Sequence, residues 1–350
     1  MKVLVVDDSA FMRRAISQML SSDPQIEVVG AAKNGREGLE MANRLKPDVI
    51  TLDIEMPEMD GLTALRRIMR DCPTQVLMLS SLTTEGSHAA LQALKIGAAD
   101  VLAKDMSQVS LSVTNLKQDL VTRVRALAQS RIRRQAKPAN VAHAIDRPPV
   151  FRPGQFDVVC IGSSTGGPPV LERILTALPA SLNVPVVVAQ HMPEVFTKSM
   201  SERLDRDCRL RVVHAHDHMA LEARTVYIAP GGKHTHLNKL GLARWELLVN
   251  QEPVEALYKP SVDALLSSAA NHIGSRCLGV VLTGIGCDGL EGGRALHARG
   301  GVLLAQNEET CVVYGMPKAV TENALVAASL NPDQIAASLV GLAPVAERVA

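Results

Sequence analysis

Short apolar runs alternate with stretches of helical period along most of the chain. The run at 3–6 reads as a buried strand, and Ser9 is placed to cap a helix with Met12, Ile16, Met19 and Leu20 on one face. The same strand-then-helix unit recurs at 26–29 and 38–45, at 49–52 and 62–69, and at 76–79 and 89–96. A fifth strand at 101–102 leads to a helix over about 111–127. This alternation predicts a doubly wound, flavodoxin-like α/β domain that takes its ligands at the carboxyl ends of parallel strands. From about 129 to 153 the periodicity fades, and Arg131, Arg133, Arg134, Lys137, Arg147 and Arg152 mingle with Pro138, Pro148, Pro149 and Pro153. That composition predicts a flexible basic linker. Alternation resumes at 158–161 and runs towards the C-terminus, predicting a second, larger α/β domain with a mostly parallel sheet. The expected division is 1–125, a linker at 126–155, and 156–350.

Composition narrows the class. A chain of 350 residues is long enough for two cores, and with 2% aromatics those cores must be built from Val, Leu, Ile, Ala and Met. A net charge of +1 argues against a nucleic-acid partner. The six cysteines show no C-x-x-C spacing, as suits reduced thiols in a cytoplasmic protein. Met1-Lys2 leads directly into the first strand, so no signal peptide is expected, and no apolar run approaches the roughly 18–20 residues that cross a bilayer.

The first half places acids, a hydroxyl and a lysine at strand ends. Asp7, Asp8 and Asp53 follow apolar strands, so their carboxylates converge at one edge, where they suit the oxygen-rich octahedral shell of Mg²⁺. Asp53 is then placed to attack a phosphoryl group, with Ser80 and Lys104 able to bind the phosphoryl oxygens. Taken with Val6-Asp7-Asp8-Ser9 and Met56-Pro57-Glu58-Met59-Asp60-Gly61, these residues make the segment from 1 to about 125 resemble a response-regulator receiver domain. The resemblance implies that Asp53 is the phospho-acceptor, that Asp7, Asp8 and Asp53 hold Mg²⁺, and that Ser80 and Lys104 read the phosphoryl state. Asp105 stands where the family usually has proline, and Val101 where an aromatic residue is common.

The second half carries Gly162-Ser163-Ser164-Thr165-Gly166-Gly167 between a strand at 157–161 and a helix near 170–178. Glycines in such a turn permit a strained backbone that exposes a hydroxyl, and the helix N-terminus offers amide donors for an oxyanion. His191 follows a strand at 185–189 and Asp288 one at 278–282, so both are expected at the sheet edge that carries Ser164. Serine needs a base, and a histidine whose tautomer a carboxylate fixes supplies it. The order Ser, His, Asp differs from that of the α/β-hydrolases.

Three other patterns compete. Gly284-Ile285-Gly286-Cys287-Asp288-Gly289 matches the dinucleotide fingerprint, which would make the chain an oxidoreductase. His214, His216 and His218 have the look of a metal cluster, although one polar face of a strand would produce the same alternation; His234 and His236 are weaker candidates. Cys287 is a possible nucleophile with no motif to activate it.

Residues from about 156 to 345 resemble the catalytic domain of the chemotaxis protein-glutamate methylesterases. The stretches that carry the likeness are 161–167, Gln190-His191-Met192-Pro193, Ala229-Pro230-Gly231-Gly232, Pro260-Ser261-Val262-Asp263 and 283–289. The resemblance implies Ser164 as nucleophile, His191 as general base and acid, Asp288 as orienting carboxylate and Thr165 beside the nucleophile, with no cofactor at the esterase site. It implies glutamyl methyl esters of chemoreceptors as substrates, glutamine deamidation as a second activity, and a chemotaxis histidine kinase as phosphodonor. It further implies that the unphosphorylated receiver restrains the esterase. Ile285 and Lys259 stand where Met and Arg are common in the family. A DNA-binding output domain would need a basic helix-turn-helix segment, which the second half lacks, and a non-catalytic binding module would not need the three triad residues.

Overall fold

The computed structural model describes residues 1–104, 111–136, 148–241 and 244–344, and the side chains within them outside 111–115 and 131–136. The chain divides into two units, Met1–Ala139 and Asn140–Ala350.

In the first unit, strands β1 (Lys2–Val6), β2 (Glu27–Ala32), β3 (Val49–Asp53), β4 (Gln75–Ser80) and β5 (Asp100–Ala103) alternate with helices α1 (Ala10–Ser21), α2 (Gly35–Leu45), α3 (Gly61–Asp71), α4 (Thr84–Ile96) and α5 (Leu111–Ala136). The sheet order is β2-β1-β3-β4-β5 and every pairing is parallel. The helices start where a side chain satisfies their first amides: Ser9, Asn34, Asp60 and Thr83 each accept from the backbone three residues on. Val3 to Val6, Ile50, Leu52 and Val76 to Met78 are wholly buried, as strands covered on both faces by helices must be. α5 runs on to Ala136, so Arg131, Arg133 and Arg134 belong to a helix and not to a linker. Of the other linker residues, Lys137, Pro138 and Arg147 lie outside the described residues, as does Asp105.

The second unit begins with β6 (Val158–Ser163), α6 (Gly167–Ala177), β7 (Val186–Gln190), α7 (Glu194–Asp207) and β8 (Arg211–His214). There follow β9 (Met219–Ala220), β10 (Thr225–Ile228), β11 (His234–Gly241), β12 (Arg244–Asn250) and α8 (Val262–His272). The remainder is β13 (Cys277–Val281), α9 (Leu290–Ala298), β14 (Val302–Gln306), α10 (Met316–Glu322), β15 (Ala328–Leu330) and α11 (Pro332–Val340). Seven parallel strands lie in the order β15-β14-β13-β6-β7-β10-β8, and β11-β12-β9 form a separate antiparallel sheet. The antiparallel sheet escapes the sequence pattern because β11 interrupts its apolar alternation with His234 and His236. Its inner face packs on α8, where Leu237 N donates to Ser268 Oγ at 2.9 Å. Adjacency of β13, β6 and β7 is what matters for chemistry, since three successive loops then open at one edge.

Candidate functional site

The first unit gathers its candidates as the sequence predicted. Asp7 and Asp8 follow β1, Asp53 ends β3, Ser80 ends β4 and Lys104 follows β5. Lys104 Nζ lies 2.6 Å from Asp53 Oδ1 and 3.4 Å from Asp7 Oδ2. Carboxylate oxygens of Asp7, Asp8 and Asp53 lie within 4.8 Å of one another. Ligands of a single Mg²⁺ stand about 3–4 Å apart, so this donor set fits that cation. Burial pushes the Asp53 carboxyl up and Lys104 pulls it down, Asp7 adds repulsion, and the result is about 6. A cation here would relieve that cost. Ser80 Oγ donates to Gly86 O at 2.9 Å, at the first turn of α4. The backbone approaches closely at Gly61, where a Cβ would stand 2.0 Å from Asp53 O.

A stability prediction follows from Asp53. Its folded value of about 6 exceeds the ordinary 3.8, so the native state holds the proton more tightly and loses stability as pH rises between those values. Above that window the ionised, buried carboxylate is a standing cost. Asp53→Asn should therefore stabilise the first unit by about 1–2 kcal/mol near pH 7.5, and the gain should vanish near pH 4. Calorimetry at the two pH values checks this; a variant less stable than wild type at the higher pH contradicts it.

In the second unit, Ser163 pairs with Gln190 across β6 and β7, so Ser164 and His191 leave adjacent strands side by side. On the other flank, Ser164 N donates to Thr283 O at 3.0 Å, just beyond β13. The loop after β13 brings Asp288 to His191: Nε2 and Oδ2 are 2.8 Å apart. His191 Nδ1 is buried and has no hydrogen-bond partner among the described residues, so Ser164 Oγ stands unbonded to it. The side chains of Ser164, Thr165 and His191 are all nearly buried.

Asp288 does more than hold a histidine. It accepts from Val262 N (2.7 Å), Asp263 N (2.8 Å) and Ser261 Oγ (3.0 Å), and so caps the N-terminus of α8. Asp263 returns the arrangement, accepting from Gly289 N (2.9 Å) and Gly292 N (2.7 Å) at the start of α9. Burial pushes Asp288 up, but His191 and the α8 amides outweigh it and hold it below the usual carboxylate range. Asp263 is raised, by burial first and also by the neighbouring Asp288 charge, against the lowering by the Gly292 and Gly289 amides. Sequence reading marked Pro260 to Asp263 by resemblance alone; the signal for a role was a Ser-x-Asp ahead of a helix.

The turn after β6 takes its left-handed conformation at a glycine, Gly166 at φ +76°, as the glycine content of the turn predicted. The expectation that the N-terminus of α6 offers a row of amides needs correction, because Gly167 N donates to Ser164 O at 2.8 Å and Pro168 and Pro169 have no N–H. Thr165 is anchored by its carbonyl, which accepts from Thr283 Oγ1 at 2.9 Å.

The competing patterns find other uses. In 284–289, a Cβ on Gly284 would stand 2.8 Å from Ser164 Cβ, and Gly286 and Gly289 take φ +81° and +99°, so the glycines fold the Asp288 loop against Ser164. β8 ends at His214, correcting the expectation of one strand through His218. His214 Nε2 meets Thr197 Oγ1 at 3.0 Å, His216 Nδ1 meets Asp217 O at 2.9 Å, and His218 Nδ1 meets Glu246 Oε2 at 3.2 Å. Among the described residues, only Asp7, Asp8 and Asp53 form a group with metal-ligand spacing. Cys287 is exposed and borders a cavity of about 780 Å³ that Leu237, Leu248, Leu257, Tyr258 and Asp288 also line. Tyr258, which the sequence reading missed, stacks on His191 with ring centroids 4.5 Å apart and planes 13° apart.

Comparison with known proteins agrees with this layout. Residues 159–339 match the family model described as CheB methylesterase, and residues 3–114 match the response regulator receiver domain. A protein-glutamate methylesterase/protein-glutamine glutaminase of Oleidesulfovibrio alaskensis is 46% identical, over 97% of this chain and 98% of its own. One from Nitratidesulfovibrio vulgaris is 44% identical, over 96% of this chain and 98% of its own. The crystal structure of the Thermotoga maritima CheB methylesterase catalytic domain matches with TM-score 0.52 and 39% identity, covering 53% of this chain and 98% of that one.

Proposed function

This chain belongs to the CheB methylesterase family and carries a response regulator receiver domain ahead of the esterase, and we propose from this that it demethylates glutamyl methyl esters of chemoreceptors under control of a phosphorylated Asp53. The observation that carries the reading is the His191–Asp288 pair beside Ser164, with Nδ1 of the histidine left for the nucleophile.

Ser164 Oγ attacks the ester carbonyl as His191 Nδ1 takes its proton, while Asp288 fixes the proton on Nε2 and stabilises the imidazolium. Amides beside Thr165 receive the oxyanion. His191 returns its proton to the departing methoxide, methanol leaves, and water cleaves the acyl-enzyme to the free glutamate and Ser164. A primary amide follows the same course with ammonia as the leaving group, so glutamine deamidation accompanies demethylation. It asks more of His191 as acid, because the amine is the poorer leaving group.

In the receiver, Asp7, Asp8 and Asp53 would hold Mg²⁺, which offsets the charge of the incoming phosphoryl group. Asp53 accepts that group from a chemotaxis histidine kinase, and Lys104 and Ser80 bind its oxygens. Among the described residues no helix is long and apolar enough to cross a membrane.

The test is methanol release from methylated receptor membranes after exhaustive dialysis of the enzyme against a zinc chelator. Activity should survive, and replacing His216 and His218 by Gln should leave it within about twofold, since both are exposed to solvent. Stoichiometric zinc lost together with activity would contradict a serine esterase.

A further inference from the structure

The ring of His191 is held at one edge only by hydrogen bonding, through Nε2 to Asp288 Oδ2. A histidine χ2 torsion is broad, and one bond at Nε2 restrains it weakly. The direction of Nδ1, the atom assigned to the nucleophile, depends on that torsion. What fixes it is the face of the ring. Tyr258 lies nearly parallel to the imidazole at 4.5 Å and 13°, so rotation about χ2 would drive an imidazole edge into the phenol. The same stack places an aromatic face against the positive charge that His191 acquires when it takes the serine proton.

The segment that presents Tyr258 is tied down at both ends. His236 Nε2 meets Glu252 O at 2.9 Å, and His234 Nε2 meets Pro253 O at 3.1 Å. Gly232 N donates to Lys259 O at 3.1 Å, and Lys259 Nζ to Gln251 Oε1 at 3.2 Å. His234 Nδ1 accepts from Ser261 N at 3.1 Å, so Nε2 carries the proton and donates to Pro253 O. Burial lowers the His234 pKa and keeps that tautomer neutral. Ser261 in turn donates to Asp288. One continuous stretch, 252–263, therefore governs both the face of His191 and the carboxylate at its edge. His234 and His236, which the sequence offered as metal ligands, serve as its anchors.

We propose that Tyr258 is a positioning residue for the esterase, setting the ring plane of His191 so that Nδ1 meets Ser164 Oγ, and covering the imidazolium formed in the reaction. The proposal rests on the assignment of His191 as the base.

The experiment compares Tyr258→Leu and Tyr258→Phe in the full-length chain. Three quantities are read: kcat and KM for methanol release from methylated receptor membranes, the rate at which a small fluorophosphonate modifies Ser164, and Tm. Leucine preserves bulk without a flat ring, so kcat should fall about tenfold or more while KM moves less than about twofold. Phosphonylation should slow by a similar factor, since it needs the same activated hydroxyl but no receptor. Phenylalanine should restore most of both losses. If leucine lowers Tm by more than about 2 °C, the phosphonylation rate per folded molecule decides. Unchanged kcat and phosphonylation in Tyr258→Leu would overturn the proposal, and so would a raised KM at normal kcat, which would mark a substrate contact. Ser164→Ala and His191→Gln run alongside. Activity in either sinks the triad itself, whereas their silence beside a normal Tyr258→Leu sinks only the role of Tyr258.

Discussion

Ser164→Ala is expected to abolish methanol release while leaving the fold and phosphorylation of Asp53 intact. The change removes one oxygen from a nearly buried turn whose shape is held by backbone groups, through Ser164 N on Thr283 O and Gly167 N on Ser164 O, and by Gln190 Nε2 donating to Ser164 O at 2.9 Å. Asp288→Asn should lower the rate by about 10⁴, as loss of the correct tautomer does in other triads. It should also cost stability, which sets this site apart from a triad whose acid serves only its histidine. The carboxylate accepts from two α8 amides and Ser261 Oγ in addition to His191, and an asparagine cannot accept at both ends. A loss of about 1–2 kcal/mol in unfolding experiments should accompany the rate effect. Near-normal esterase activity in Ser164→Ala would mean that the nucleophile lies elsewhere, with Cys287 the next residue to replace, and in Asp288→Asn that another group orients His191.

The second large effect is the switch. A small phosphodonor with Mg²⁺ should activate the full-length enzyme, but neither Asp53→Asn nor a fragment beginning near Gly154. That fragment should exceed the basal activity of the unphosphorylated full chain. In the present structure Lys104 is committed to Asp53 and Asp7, and Ser80 to the carbonyl of Gly86. Lys104 already lies beside Asp53, whereas Ser80 must give up its bond to the first turn of α4 to bind a phosphoryl oxygen, so a charge at Asp53 would be transmitted as a local rearrangement. Each tenfold gain in the active population needs about 1.4 kcal/mol of differential stabilisation, the scale of one or two charge-assisted hydrogen bonds. Equal basal rates for fragment and full chain would leave the receiver as a docking or targeting module.

Much of this was legible in the sequence, for identifiable reasons. Parallel strands covered on both faces leave runs such as Val186 to Ala189, and the residue that ends such a run lies at the sheet edge by construction. Asp53, Ser80 and His191 were found that way, whereas Asp288 lies in the loop beyond β13 and was marked by the glycine-rich stretch around it. What escaped was whatever depends on loops or on an exact atom. Tyr258 sits in a segment with no periodicity, and nothing in its neighbourhood marks the ring it stacks on. The choice of Nε2 for Asp288, leaving Nδ1 for Ser164, is set by loop geometry. Pro168 and Pro169 by themselves exclude the α6 N-terminus as a row of amide donors, since neither has an N–H. The basic stretch at 131–134 reads as linker by composition, yet its arginines continue α5 because no proline or glycine precedes Pro138.

The central claim, that a serine esterase is governed by an aspartyl phosphate, is tested most directly by methanol release from membranes carrying methylated chemoreceptors, with and without a small phosphodonor and Mg²⁺. Release that rises with the phosphodonor in wild type, stays at its basal level in Asp53→Asn and is absent in Ser164→Ala is the expected result. Release that persists in Ser164→Ala, or that ignores the phosphodonor in wild type, would contradict it.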